Sequence, residues 1–125
     1  MSSSSAHTWH AAVIAYDPPF VMPDWVSDIF RQEGIEFSAT NCQTEAEVIT
    51  LARDCDVLLT SSARRLLTRE VIGQLARCRG LIRVGSGVDC IDLAAATARG
   101  IPVINTADAL AEEVAEHAAA LILAL

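Results

Sequence analysis

The 125-residue sequence predicts an α/β domain built on an open, five-stranded parallel sheet with helices on both faces. Three observations carry this. Five short runs rich in Val, Ile, Leu and Ala recur along the chain, several of them continuously apolar, as strands buried on both faces read. Between them lie stretches with apolar residues at helical spacing, several opened by Asp or Thr and closed by Gly. No internal repeat or low-complexity tract interrupts the alternation. Hydrophobic residues make up 52% of the chain, enough to build a core at this length without disulfides or metals.

Residues 1–8 form a small polar arm and are expected to be disordered. Ala11 to Tyr16 reads as the first strand, closed by Asp17-Pro18-Pro19. Asp24 is expected to cap a helix with Trp25, Ile29 and Phe30 on one stripe, stopped by Gly34. Ile35 to Thr40 is the second strand. Thr44 opens a helix carrying Val48, Ile49 and Leu51. Val57-Leu58-Leu59 is the third strand, and Thr68 caps a helix that turns Val71, Ile72 and Leu75 inward. Leu81 to Val84 is the fourth strand, leading into Gly85-Ser86-Gly87. Asp92 caps a short helix through Arg99, and Gly100 ends it. Ile101 to Ile104 is the fifth strand, with Pro102 near its start, where a ladder donor is least missed. A last helix begins near Leu110 and runs, apolar and uncapped, to Leu125. Five such units with right-handed crossovers fit the flavodoxin-like strand order 2-1-3-4-5. Residues 9–106 form the domain, and 107–125 begin a helix expected to pack on something else.

Composition narrows the function. Sixteen acids against nine bases give a formal charge of −7, and every base is Arg. Nucleic acid is excluded as a partner, because phosphate backbones need clustered bases. The longest apolar stretch, Ala118 to Leu125, is too short for a bilayer span of about 20 residues. The start carries neither a basic nor an apolar leader region. Cys42, Cys55, Cys78 and Cys90 show no C-x-x-C and no metal-ligand spacing, so they read as buried free thiols in a reducing, cytoplasmic setting.

In such sheets ligands bind at the carboxyl ends of the strands. A phosphate-accepting receiver would need acids after the first and third strands and a Lys after the fifth; the chain has no Lys. A flavin-phosphate loop is absent after the first strand, and so is the D-x-H-x-x-G of cobalamin binders. Gly85-Ser86-Gly87-Val88-Asp89-Cys90 approaches the dinucleotide fingerprint, with Asp108 further on, but Cys90 replaces the third glycine. The helix also starts late, at Asp92, so it would not lie against a pyrophosphate. No NADH binding is expected there. Such a loop can instead offer backbone N–H groups to a carboxylate, or be a tight turn that needs glycine for its backbone alone. A Cβ at Gly85 or Gly87 is expected to crowd both turn and ligand. Glu116 and His117, adjacent on a helix, point about 100° apart and do not form an acid/base pair. His117 reads as a packed helix residue, and Arg64-Arg65 as a solvated pair.

Taken together, the stretch from Leu81 to Leu125 resembles the D-isomer-specific 2-hydroxyacid dehydrogenases. The likeness rests on a strand followed by Gly85-x-Gly87-x-Asp89-Cys90-Ile91-Asp92, then Ala96-x-x-x-Gly100-Ile101-x-Val103-x-Asn105-Thr106, then Val114-Ala115-Glu116-His117 in an apolar helix. The resemblance implies a flavodoxin-like substrate domain, followed by a helix that crosses into an NAD-binding Rossmann domain. It implies that backbone amides at Val84, Gly85, Ser86 and Gly87 hold the substrate carboxylate, with Ser61 and Ser62 lining the same cleft. The family's catalytic residues and cofactor fingerprint fall after the position matching Leu125. The expected function is thus the substrate-binding half of an NAD-dependent oxidoreductase acting on the CH–OH group of a small 2-hydroxy or 2-keto acid. This chain alone is expected to be inactive, and to self-associate through its terminal helix in the absence of a Rossmann domain. A second reading is a stand-alone binding or regulatory module, or an inactive product without the catalytic half. Three departures stand out: Cys90 for the usual Asn, Ala107-Asp108 for Pro-Gly, and Ser61 where phosphoglycerate-specific members carry Arg. The last favours an unphosphorylated acid.

Overall fold

The computed structural model describes residues 7–15 and 22–125. The expected turn at Asp17-Pro18-Pro19, the Tyr16 end of the first strand and residues 1–6 of the arm lie outside the described residues. Five strands, β1 (Trp9–Ile14), β2 (Ile35–Thr40), β3 (Val57–Thr60), β4 (Gly80–Arg83) and β5 (Val103–Asn105), form one parallel sheet in the order β2-β1-β3-β4-β5. The helices are α1 (Asp24–Gln32), α2 (Glu45–Ala52), α3 (Arg69–Gln74), α4 (Leu93–Ala98) and α5 (Ala111–Leu123).

Neighbouring strands align so that Ala12, Leu58 and Leu81 lie side by side, and all three are buried. With Ile14, Val48, Val71, Ile72, Leu75, Ala96 and Ile101 they form a single core. Helices α2, α3 and α4 supply the other half of that core. Val48 is fully buried while Ile49 and Leu51 pack at its margin, and Val71, Ile72 and Leu75 all point inward as their spacing predicts. The four cysteines are free and buried.

Caps set the register of these helices. Thr44 accepts from the Glu47 amide at 3.3 Å, and the Glu47 carboxylate reaches back to the Thr44 amide at 3.0 Å, closing a capping box. Thr68 and Asp92 cap α3 and α4 with one bond each, accepting from the Val71 and Ala95 amides. Thr44→Ala should therefore lower stability by about 1 kcal/mol, read by urea denaturation with an unchanged m-value.

Helix α1 corrects one expectation. Pro23, not Asp24, flanks the helix, and no side chain caps it. Pro23 holds φ −58° and ψ 139°, an extended conformation, and its carbonyl takes the Val26 and Ser27 amides at 3.0 and 3.2 Å. Asp24 becomes the first helical residue, where its charge still faces the positive helix end. The Trp25–Ile29–Phe30 stripe is not buried as a unit, and Trp25 is 66% exposed. The helix meets the sheet chiefly at β2, where Phe30 stacks on Phe37 with ring centroids 4.9 Å apart.

At the amino end of the sheet a polar cluster replaces apolar packing. Asp56, just before β3, is buried, and it accepts from the His10 amide at 2.9 Å and from Arg77 Nη2 at 3.1 and 3.2 Å. His7 Nε2 lies 3.0 Å from the same carboxylate, so His7, placed in the polar arm by sequence, is tied to the domain. Burial alone would push the Asp56 carboxyl upward, but these donors outweigh it and hold the pKa below the ordinary carboxylate range.

Candidate functional site

The carboxyl ends of β3, β4 and β5 meet at the loop Val84–Gly87. At the end of β3, Ser61 donates its amide to the Ile14 carbonyl at 3.1 Å. Ser62 is 6% exposed and its hydroxyl accepts from the Arg64 amide at 3.2 Å. Ser62 thus shapes the loop from beneath, and Ser61 is the more open of the pair. Arg64 and Arg65 are exposed, as expected.

The four loop amides are not equivalent. Val84 N–H donates to the Thr60 carbonyl at 2.9 Å, extending the strand ladder. Gly85 N–H donates to Thr106 Oγ1 at 2.8 Å. Among the described residues, nothing takes the amides of Ser86 and Gly87, and both residues are exposed. The donor set expected for a carboxylate therefore narrows to these two.

The glycines differ as well. Gly85 has φ +144°, a conformation that L side chains rarely adopt, and a Cβ there would lie 2.8–3.0 Å from the Arg83 guanidinium. Gly87 has no such torsion, and its Cβ would meet only the Asp89 carboxylate, at 3.8 Å. The expected crowding at Gly87 is thus corrected: the turn requires glycine at Gly85 alone.

Arg83 is the residue that sequence reasoning missed. It ends β4, and its Nη1 donates to the Ser61 carbonyl at 3.3 Å and to the Val84 carbonyl. Its Nε is buried without a partner. A guanidinium is thereby wedged between the β3 loop and Gly85, with donor capacity left over. The signal was an Arg inside the otherwise apolar run Leu81-Ile82-Arg83-Val84.

Asn105 and Thr106 hold the loop from the other side. Asn105 Nδ2 donates to the Ser86 carbonyl at 2.7 Å, and the Thr106 amide donates to the Gly85 carbonyl at 3.3 Å. With the Gly85-to-Thr106 bond, three hydrogen bonds strap the loop to the end of β5. Beside it lies a cleft of about 460 Å³ lined by Gly85, Ser86, Thr106, Leu110 and Val114. Helix α5 leaves from this point with every residue exposed, His117 included, which corrects the expectation that His117 is packed. Helix α4 begins only at Leu93, several residues past the loop, so no helix amino end is presented to a pyrophosphate there.

The family profile described as "D-isomer specific 2-hydroxyacid dehydrogenase, catalytic domain" matches residues 13–120. The chain belongs to the D-isomer-specific 2-hydroxyacid dehydrogenases. A relative from Synechocystis, a D-3-phosphoglycerate dehydrogenase, is 35% identical over 107 residues, which are 80% of this chain and 19% of that protein. The solved TT0316 protein from Thermus thermophilus superposes with a TM-score of 0.77 at 26% identity, covering 92% of this chain and 36% of that one. The NAD+-bound 3-phosphoglycerate dehydrogenase of Entamoeba histolytica shares the fold, with a TM-score of 0.69 at 24% identity over 80% of this chain and 33% of that one. The chain thus spans about a fifth of the curated relative and about a third of each solved chain. Among the described residues there is no cluster of metal-ligating side chains, and no helix is long and apolar enough to cross a membrane.

Proposed function

We propose that this chain supplies the carboxylate-holding side of an NAD-dependent oxidoreductase acting on the CH–OH group of D-2-hydroxy acids. The observation that carries the reading is the pair of open amides at Ser86 and Gly87, in the turn whose Gly85 abuts the Arg83 guanidinium at the carboxyl end of the sheet. Charge-assisted bonds from such donors suit a small planar anion. Gly85 aims the turn, Asn105 and Thr106 fix it, and Ser61 and Ser62 shape the facing wall.

The NAD assignment rests on the family. The loop itself does not fit a dinucleotide: buried Cys90 stands at the third glycine position, and α4 starts too late. The chain's own part is therefore to bind and orient the acid. An unphosphorylated 2-keto or 2-hydroxy acid suits the small donor set, with a Ser rather than an Arg at Ser61. The curated relative is named for phosphoglycerate, so phosphorylated acids belong in the same assay.

Titrating the chain with pyruvate while following amide resonances tests the reading. Saturable shifts at Ser86 and Gly87 are expected, with none for the neutral amide of the same acid. Arg83→Met should weaken binding roughly ten- to a hundredfold, the loss of one charge-assisted hydrogen bond worth about 1.5–3 kcal/mol. Shifts that bypass the loop, or survive Arg83→Met unchanged, would refute the assignment.

A further inference from the structure

At the opposite end of the sheet, two thiols that this function does not use lie side by side. Counting back two residues from the Val57–Gly80 pair reaches Cys55 and Cys78, just ahead of β3 and β4. The ladder still holds one step back, where the Arg79 amide donates to the Asp56 carbonyl at 2.7 Å. Adjacent strands run about 4.8 Å apart. That spacing falls inside the roughly 4.4–6.8 Å Cα separation that a disulfide spans. Both side chains belong to the same buried cluster, and the Cys78 S–H donates to the Gly80 carbonyl at 3.3 Å.

We propose that Cys55 and Cys78 form a reversible oxidation site, a dithiol that a hydroperoxide converts to a disulfide joining the starts of β3 and β4. The two sulfurs have different parts. The neighbouring Cys55 thiol lowers the Cys78 pKa, with further help from the Gly80 and Leu58 backbone and the Arg99 charge, while Cys78 and burial raise Cys55. Cys78, which reaches the surface where Cys55 does not, is therefore the attacking thiolate. Its sulfur bonds to one peroxide oxygen, the O–O bond breaks, and the leaving oxygen takes a proton as alcohol or water. Cys55 sulfur then attacks the Cys78 sulfenic acid, the S–S bond forms, the S–O bond breaks, and hydroxide leaves as water with the Cys55 proton. Two thiols and one hydroperoxide give one disulfide, one alcohol and one water.

Access comes through the short connection between α3 and β4. Cys78 is 6% exposed and lies between the exposed residues Arg77 and Arg79. The other thiols are internal controls. Cys90 is also 6% exposed, so exposure alone would oxidise it as readily as Cys78. Cys42 is buried, and burial together with the Glu47 charge pushes it up to about 11, which keeps it protonated.

Treating the folded chain with hydrogen peroxide, alkylating what remains and mapping the peptides tests this. The expected product is a Cys55–Cys78 cross-linked peptide about two mass units lighter than the paired thiols, restored by a dithiol reductant, with Cys42 and Cys90 alkylated. In Cys55→Ser the reaction should stop at a Cys78 sulfenic acid that a cyclic dione captures. The wild-type map decides by itself if that variant does not fold. Sulfinic acid at Cys78 without a cross-link would overturn the proposal. So would a bridge involving Cys42 or Cys90, or four thiols still reduced after treatment.

Discussion

Gly85→Val is expected to destabilise the domain and to abolish keto-acid binding, whereas Gly87→Ala should do neither. At Gly85 the φ of +144° is one that a β-branched residue cannot share without strain, costing about 1–3 kcal/mol. The added carbon would also press on the Arg83 guanidinium, pushing it from the Ser61 carbonyl and from the place where a carboxylate would meet it. At Gly87 the nearest neighbour, at 3.8 Å, leaves ordinary contact, and the cost should stay within about 0.5 kcal/mol, as for most surface changes. Urea denaturation and the pyruvate titration on both variants give the comparison. Equal losses at the two positions would show that the loop needs flexibility throughout rather than one left-handed residue.

Asp56→Ala is the second large effect, expected at about 2–3 kcal/mol, because it strips a buried acceptor from the His10 amide and the Arg77 guanidinium together. Its pH signature is specific. The folded-state pKa lies below the unfolded one, so the stabilisation is complete above the unfolded carboxyl's range and is lost as pH falls through the folded value. The wild type should therefore lose stability toward acid more steeply than Asp56→Asn, and the two curves should converge at the lowest pH. Parallel curves down to that limit would mean that the carboxylate's charge contributes nothing beyond its shape.

Much of the fold was legible because its information is local. Thr44, Thr68 and Asp92 announce their helices through short-range caps, and the inward Val71–Ile72–Leu75 set follows from helical spacing alone. Strand ends were less legible. The first strand begins at Trp9, earlier than its apolar run, because pairing with Ile35 and Glu36 extends it through a half-exposed aromatic and a histidine. The last strand starts at Val103 rather than Ile101, although the Pro102 carbonyl still accepts from Leu81. The site was legible only in outline. Motif spacing pointed to the loop, yet which amides remain open depends on Thr60 and Thr106, brought there by strand pairing. Asp56 was hidden for the same reason: its partners His7, His10 and Arg77 are far away in sequence.

The three bonds from Asn105 and Thr106 also decide how force passes through this end of the molecule. They end at Thr106, and among the described residues no hydrogen bond ties the turn of residues 107–110 or helix α5 to the loop. Bending at that turn would swing α5 like an arm on a pivot and leave the Ser86 and Gly87 amides stationary on the sheet. An anion held by those amides would keep its place on the sheet while α5 turned past it.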